Sequence, residues 1–223
     1  VSNWAVRKDV GGMTKRTEFS NNSITFHPGW RGAGRGWVAL SGPPGSGKDT
    51  LASYLVGAHG FTRVAFADPV REMALAINPY VHDATTTQRL RSLVDVHGWE
   101  GSKREFPEVR RLLQVIGTDA VRAQSPDFWV DQALATVRAV RGPVVFTDTR
   151  FLNEAERVVM LGGISVNIEG PSDPHPEHES EGGLADFKHT ATVHNPRAPR
   201  LVHQQTMARA ARSLATYLLK ELA

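Results

Sequence analysis

The run Gly42-Pro43-Pro44-Gly45-Ser46-Gly47-Lys48-Asp49, with Thr50 after it, constrains this chain more than any other feature. It follows an apolar segment, Trp37-Val38-Ala39-Leu40, and opens a helical pattern, Leu51-Ala52-Ser53-Tyr54-Leu55-Val56. A strand, a glycine-rich turn and a helix in that order form a phosphate-binding loop, in which backbone N–H groups curl around an anion. The helix N-terminus contributes unpaired donors and a partial positive charge, and Lys48 can reach the β- and γ-phosphates of a nucleotide. Glycine is required where a Cβ would crowd the phosphate or forbid the backbone angles of the turn. The stretch from Gly42 to Thr50 is therefore the expected ATP-binding segment.

A chain of 223 residues can bury a substantial core as one domain, or as one domain with a small insert. No apolar run approaches the ~20 residues needed to span a bilayer, and no continuous apolar signal region opens the chain. With no cysteine there is neither a disulfide framework nor thiolate chemistry, and a cytoplasmic protein is the default expectation. The formal charge of +3 is unevenly spread. Residues 1–36 hold six basic residues (Arg7, Lys8, Lys15, Arg16, Arg31, Arg35) against Asp9 and Glu18, leaving 20 basic and 21 acidic residues in the rest. The body therefore lacks the basic excess that grips a nucleic-acid backbone. Residues 1–36, rich in Gly, Ser, Asn and charge, read as a poorly ordered basic extension.

From residue 37 onward, strand and helix patterns alternate. Strands are expected at 37–40, 62–66, 144–148, 164–168 and 191–194. Helices are expected over about 51–56, 68–77, 84–96, 107–123, 126–137, 153–161 and 202–222, with 97–102 as a loop. Asp68-Pro69 reads as the cap and first turn of its helix. Such alternation implies a parallel sheet covered by helices on both faces, with ligands at the carboxyl ends of the strands. Residues 171–190, rich in Pro, His, Glu and Gly, are the expected lid loop, and about 68–140 the expected helical insert.

Val144-Val145-Phe146-Thr147-Asp148 is a short apolar run ending in an acid, the pattern of a buried central strand. An acid at that strand end is placed to hold Mg²⁺, directly or through water. One carboxylate, the Thr50 hydroxyl and ATP phosphates suffice for an ion that prefers oxygen and keeps several waters. Arg150, two residues on, is placed to stabilise charge on a transferring phosphoryl group.

One detail of the loop departs from the common pattern: Asp49 stands where the hydroxyl residue is expected, and Thr50 comes one later. That spacing resembles the nucleoside monophosphate kinases. Further blocks follow in order: Val64-Ala65-Phe66-Ala67-Asp68-Pro69, Arg111-Leu112-Leu113-Gln114 with Gly117-Thr118-Asp119, and Asp148-Thr149-Arg150-Phe151-Leu152-Asn153-Glu154. His178-Glu179-Ser180-Glu181 and Asn195 complete the set. Together they resemble the bacteriophage-type deoxynucleoside monophosphate kinases over about residues 37–218, leaving the basic extension outside.

The resemblance implies a three-layer P-loop NTPase fold and transfer of the γ-phosphoryl of ATP, with Mg²⁺, to a deoxynucleoside 5′-monophosphate. It implies that Lys48, Asp148 and Arg150 are catalytic and that Thr50 and Asp148 serve the metal. Asp68, Arg71, Arg111, Gln114, Arg122, Trp129, Glu154, His178 and Glu181 become the candidate acceptor-binding residues. Small-molecule substrates and no membrane are expected, a homodimer is left open, and a phage-encoded enzyme would work in the host cytoplasm. Two alternatives remain open from sequence. One is a P-loop kinase for another acceptor (phosphomevalonate, dephospho-coenzyme A or a modified base); the other is a non-catalytic ATP-binding factor.

Overall fold

A computed structural model describes residues 19–21, 23–27, 36–83, 86–170, 183–184, 186–196 and 199–220. The chain divides into two units, residues 1–65 with 139–223, and residues 66–138.

The first unit is built on a seven-stranded sheet. In chain order its strands are β1 (Phe19–Asn21), β2 (Ile24–Phe26), β3 (Trp37–Ser41), β4 (Thr62–Val64), β7 (Val144–Phe146), β8 (Ile164–Glu169) and β9 (Ala191–His194), and across the sheet they run β1-β2-β9-β8-β3-β7-β4. All pairings from β9 to β4 are parallel, and β1 and β2 add antiparallel. β3 lies in the middle of the five parallel strands and is buried along its whole length, which is why it reads as an apolar run. Helices α1 (Lys48–His59) and α7 (Arg200–Lys220) pack Leu51, Leu55, Met207, Ala210 and Leu214 with Val38, Leu40, Ile164, Val166 and Ile168. Helix α6 (Leu152–Met160) meets β3 and β8 with Val158 near Trp37, on the side reached by the alternate residues of β3. The result is the three-layer α/β fold expected.

The amino-terminal expectation needs correction. Residues 1–18 and 28–35 lie outside the described residues, but β1 and β2 do not belong to a solvated extension. Ile24 is 1% exposed and pairs with Val193, while Thr25 and Phe26 pair with Thr192 and Ala191. Without β2, the outer edge of β9 would present unpaired N–H and C=O groups. Averaging composition over 36 residues hid three that alternate as a strand.

The second unit holds α2 (Asp68–Ile77), the hairpin β5 (Tyr80–His82) and β6 (Thr87–Arg89), α3 (Leu90–Glu105) and α4 (Pro107–Gln114). A π-helical stretch (Val115–Arg122) and α5 (Phe128–Val137) complete it. Its core gathers Ala74, Val81, Leu90, Leu93 and Val109, with Trp99, Phe106 and Leu113 against them. The helix expected over 84–96 begins only at Leu90, because Thr87 enters the hairpin, as β-branched residues favour. Of residues 97–102, expected as a loop, only Gly98 leaves helical angles, at φ 65° and ψ 173°: two helical segments meet there at a kink, with Trp99 and Phe106 partly buried against the core.

Most of the expected lid, including His178 and Glu181, lies outside the described residues. No helix among the described residues is long and apolar enough to cross a membrane.

Candidate active site

The phosphate loop is shaped by three glycines in the left-handed half of backbone space: Gly42 (φ 133°), Gly45 (φ 75°) and Gly47 (φ 106°). At Gly42 a Cβ would lie 2.5 Å from the Ile168 carbonyl oxygen, a contact no side chain tolerates. The loop delivers the chain into α1 at Lys48, and no side chain caps that helix start. The cap residue is Gly47, so no cap side chain competes with an anion at this helix end. The Lys48 ammonium donates to the Gly42 and Pro43 carbonyls at 2.6 and 2.7 Å, so its charge lies over the loop itself.

Asp148 stands two residues beyond β7. The last paired residue of that strand, Phe146, lies opposite Ala39 of β3, so Asp148 follows at the carboxyl edge of the sheet from which the loop after β3 also departs. The Thr149 amide donates to the Leu40 carbonyl at 3.2 Å, which holds the turn after β7 against the end of β3. Asp148 is half-buried and Arg150 exposed. Two hydroxyls nearby, Ser46 Oγ and Thr149 Oγ1, are buried without a hydrogen-bond partner among the described residues. Buried polar atoms seldom go unmatched, and Ser46 stands two residues before the start of α1, an end suited to an oxyanion. The Thr50 hydroxyl and the Asp148 carboxylate are oxygen donors of the hard kind that could hold Mg²⁺.

No protein-family model matches the chain. A protein of Acanthamoeba polyphaga mimivirus, named provisionally as a deoxynucleotide monophosphate kinase, is 30% identical over 62% of this chain and 78% of its own length. The chain belongs to that family of kinases. Among solved structures, TT1252 from Thermus thermophilus matches at a TM-score of 0.42 and 15% identity, over 80% of this chain and 97% of that one. Dephospho-CoA kinase from Campylobacter jejuni gives 0.42 and 12%, over 82% and 98%. Shikimate kinase from Bacteroides thetaiotaomicron gives 0.38 and 15%, over 80% and 97%.

Two acceptor-side expectations of this kinase are overturned. Trp129 is 1% exposed and its indole N–H donates to the Gly117 carbonyl at 2.7 Å, which makes it a core residue and not a stacking surface for a base. Glu154 is 2% exposed, and its Oε2 accepts the backbone N–H groups of Arg150 and Phe151 at 2.8 and 3.1 Å. It braces the turn that carries Arg150 and starts α6, in place of an acceptor contact.

The remaining candidates belong to the second unit. Asp68 and Arg71 are joined by an ion pair of 3.2 Å, and the Arg71 guanidinium also lies 3.8 Å from Glu100 and 5.9 Å from the Trp99 ring centre. Asp68 is the first residue of α2 and turns toward Arg71 rather than capping the helix. Burial raises the Glu100 carboxyl, but the Lys103 hydrogen bond and the charges of Lys103 and Arg71 bring it below its ordinary range. Arg111 makes a two-pronged contact with Glu108, both bonds 2.6 Å, on an exposed helix face. Glu108 is held below the usual carboxylate range by that hydrogen bond. Gln114 ends α4, and Arg122 ends the π-helical stretch and donates to the Pro126 carbonyl at 3.4 Å.

Sequence reasoning passed over His203. It carries no motif, though it shares a helix face with buried Met207, Ala210 and Leu214, a position where a polar ring needs a partner.

Proposed function

We propose that this kinase transfers the γ-phosphoryl of ATP to a deoxynucleoside 5′-monophosphate, releasing ADP and the diphosphate. The observation that carries the donor half is the start of α1 within a left-handed glycine loop, at the sheet edge where β7 leads into Asp148. The acceptor class is supported by the name of the mimivirus relative.

The backbone of residues 43–50 cradles the donor phosphates. Lys48 exchanges its two carbonyl partners for phosphate oxygens, and Arg150 follows the transferring group. An acceptor phosphate oxygen attacks the γ-phosphorus as the bond to the β,γ-bridging oxygen breaks, and the electron pair leaves with ADP. The attacking oxygen is already anionic, so no general base is needed, and catalysis reduces to alignment and charge neutralisation. Thr50 and Asp148 would hold Mg²⁺, which when bound offsets the charge of the phosphates. On the acceptor side Arg71 is the candidate for the monophosphate, with Asp68 setting its direction; Gln114, Arg111 and Arg122 are further candidates.

The test is ADP release across the four common deoxynucleoside monophosphates, ribonucleoside monophosphates, phosphomevalonate and dephospho-coenzyme A. Acceptor-dependent turnover with a deoxynucleotide is expected. Lys48→Ala should lower kcat at least about a hundredfold, the loss of a preorganised contact to the transferring group. Turnover with none of the deoxynucleotides rejects the acceptor, and unchanged activity in Lys48→Ala rejects the donor site.

A further inference from the structure

A chain of side-chain contacts joins the carboxyl end of the sheet to the phosphate loop from behind. Asn195, 3% exposed at the end of β9, donates its Nδ2 to the Ser46 carbonyl at 2.6 Å. Its Oδ1 faces Nδ1 of His203 at 2.8 Å, and Nε2 of the same imidazole lies 3.4 Å from the Thr50 hydroxyl. The contact is close enough to shape the loop: a Cβ on Gly47 would lie 3.0 Å from both Asn195 Nδ2 and His203 Cε1.

Protons can be placed along this chain by elimination. The Ser46 carbonyl only accepts, so the amide edge facing it is the NH₂ group and the opposite edge is the carbonyl oxygen. That oxygen also only accepts, so His203 carries its proton on Nδ1. With that as its one ring proton, the imidazole has its lone pair on Nε2, and the Thr50 O–H donates to it. A hydroxyl that serves a cation must present oxygen lone pairs and send its proton elsewhere. His203 receives that proton, leaving the Thr50 lone pairs for the phosphate side. At 3.4 Å the bond is long, as such contacts often are before the ligands arrive.

We propose that His203 is a positioning residue for phosphoryl transfer, fixing the direction in which Thr50 presents its lone pairs; this rests on the kinase reading above and on Thr50 as a ligand of the nucleotide-bound cation. Asn195 sets the tautomer of His203 and ties both residues to the loop backbone. The role parallels the outer-shell partners that orient metal ligands elsewhere, whose loss costs about 10–100-fold in metal affinity.

Binding of a fluorescent N-methylanthraniloyl ADP tests the proposal, measured with Mg²⁺ and again with EDTA, with thermal melts alongside. His203→Phe removes both polar atoms and His203→Asn retains the donor toward Asn195 alone; both should lose about 10–100-fold in the Mg²⁺-dependent part of the affinity while binding in EDTA holds. His203→Gln, whose amide oxygen can stand where Nε2 stood, should recover most of that loss. In a Thr50→Val background His203→Phe should add nothing further, since the two residues then lack a shared contact. Equal losses with and without Mg²⁺, additive effects with Thr50→Val, or no rescue by Gln overturns the proposal. Wild-type protein that binds no nucleotide overturns the kinase reading and the proposal together. Wild-type protein that binds the Mg²⁺ nucleotide, beside a His203→Phe protein that binds it equally well, overturns the proposal alone.

Discussion

Substituting alanine at two glycines of one segment should move stability in opposite directions. Gly47 precedes α1 at φ 106° and ψ 12°, where an L-residue is strained, and its Cβ would press on Asn195 Nδ2 at 3.0 Å. The strain costs about 1–3 kcal/mol. Displacing Asn195 weakens its 2.6 Å bond to Ser46, worth about another 0.5–1.5 kcal/mol. For a chain of this length a total of about 2–4 kcal/mol corresponds to a fall in Tm of roughly 5–15 °C. Gly57 lies inside α1, exposed, with nothing within 4 Å of its would-be Cβ. There alanine only restricts the unfolded chain and favours helix, a gain of up to about 1 kcal/mol and a rise of about 2–4 °C. Differential scanning fluorimetry of Gly47→Ala and Gly57→Ala reads both, and ATP titration reads the loop: Gly47→Ala should bind weakly and Gly57→Ala normally. If Gly47→Ala melts with the wild type and keeps its nucleotide affinity, the left-handed loop geometry is not what builds the site.

Further outcomes separate structural from chemical roles. Trp129→Phe leaves the Gly117 carbonyl without its indole partner and should cost about 1–3 kcal/mol in a urea melt, with the acceptor KM unchanged; a raised KM without lost stability would return Trp129 to the site. Asp148→Asn should raise the Mg²⁺ concentration needed for half-maximal rate on the order of tenfold or more while the melt stays close to wild type, and an unchanged metal response removes the residue from the site. His189 bonds Ser165 Oγ through Nδ1 at 2.8 Å, and burial pushes its imidazole below the ordinary value of 6.5, more than a Leu184 backbone contact offsets. The unfolded chain then binds the proton more readily than the folded one. This contribution is complete above pH 6.5 and lost as pH falls through the lower folded value. Stability between about pH 7 and 5 should therefore fall less steeply in His189→Asn, and parallel slopes would refute the assignment.

Local chemistry in the sequence alone determines the glycine loop and the helix that it opens. The order of strand, glycines, lysine and helix specifies a phosphate cradle, because backbone angles and helix-end donors are properties of neighbouring residues. The apolar run ending at Asp148 specifies a central strand with an acid at its carboxyl end for the same reason. Residues whose role depends on distant partners carried no such mark. Trp129 became core because a π-helical carbonyl at Gly117 came within reach of its indole, and Glu154 became a brace because the Arg150 turn folded over it. Ile24 joined the sheet because β9 offered an open edge, and His203 met Thr50 because α7 packs on α1. Each of those partnerships joins residues whose side chains could satisfy several neighbours, and packing alone selected which one they meet.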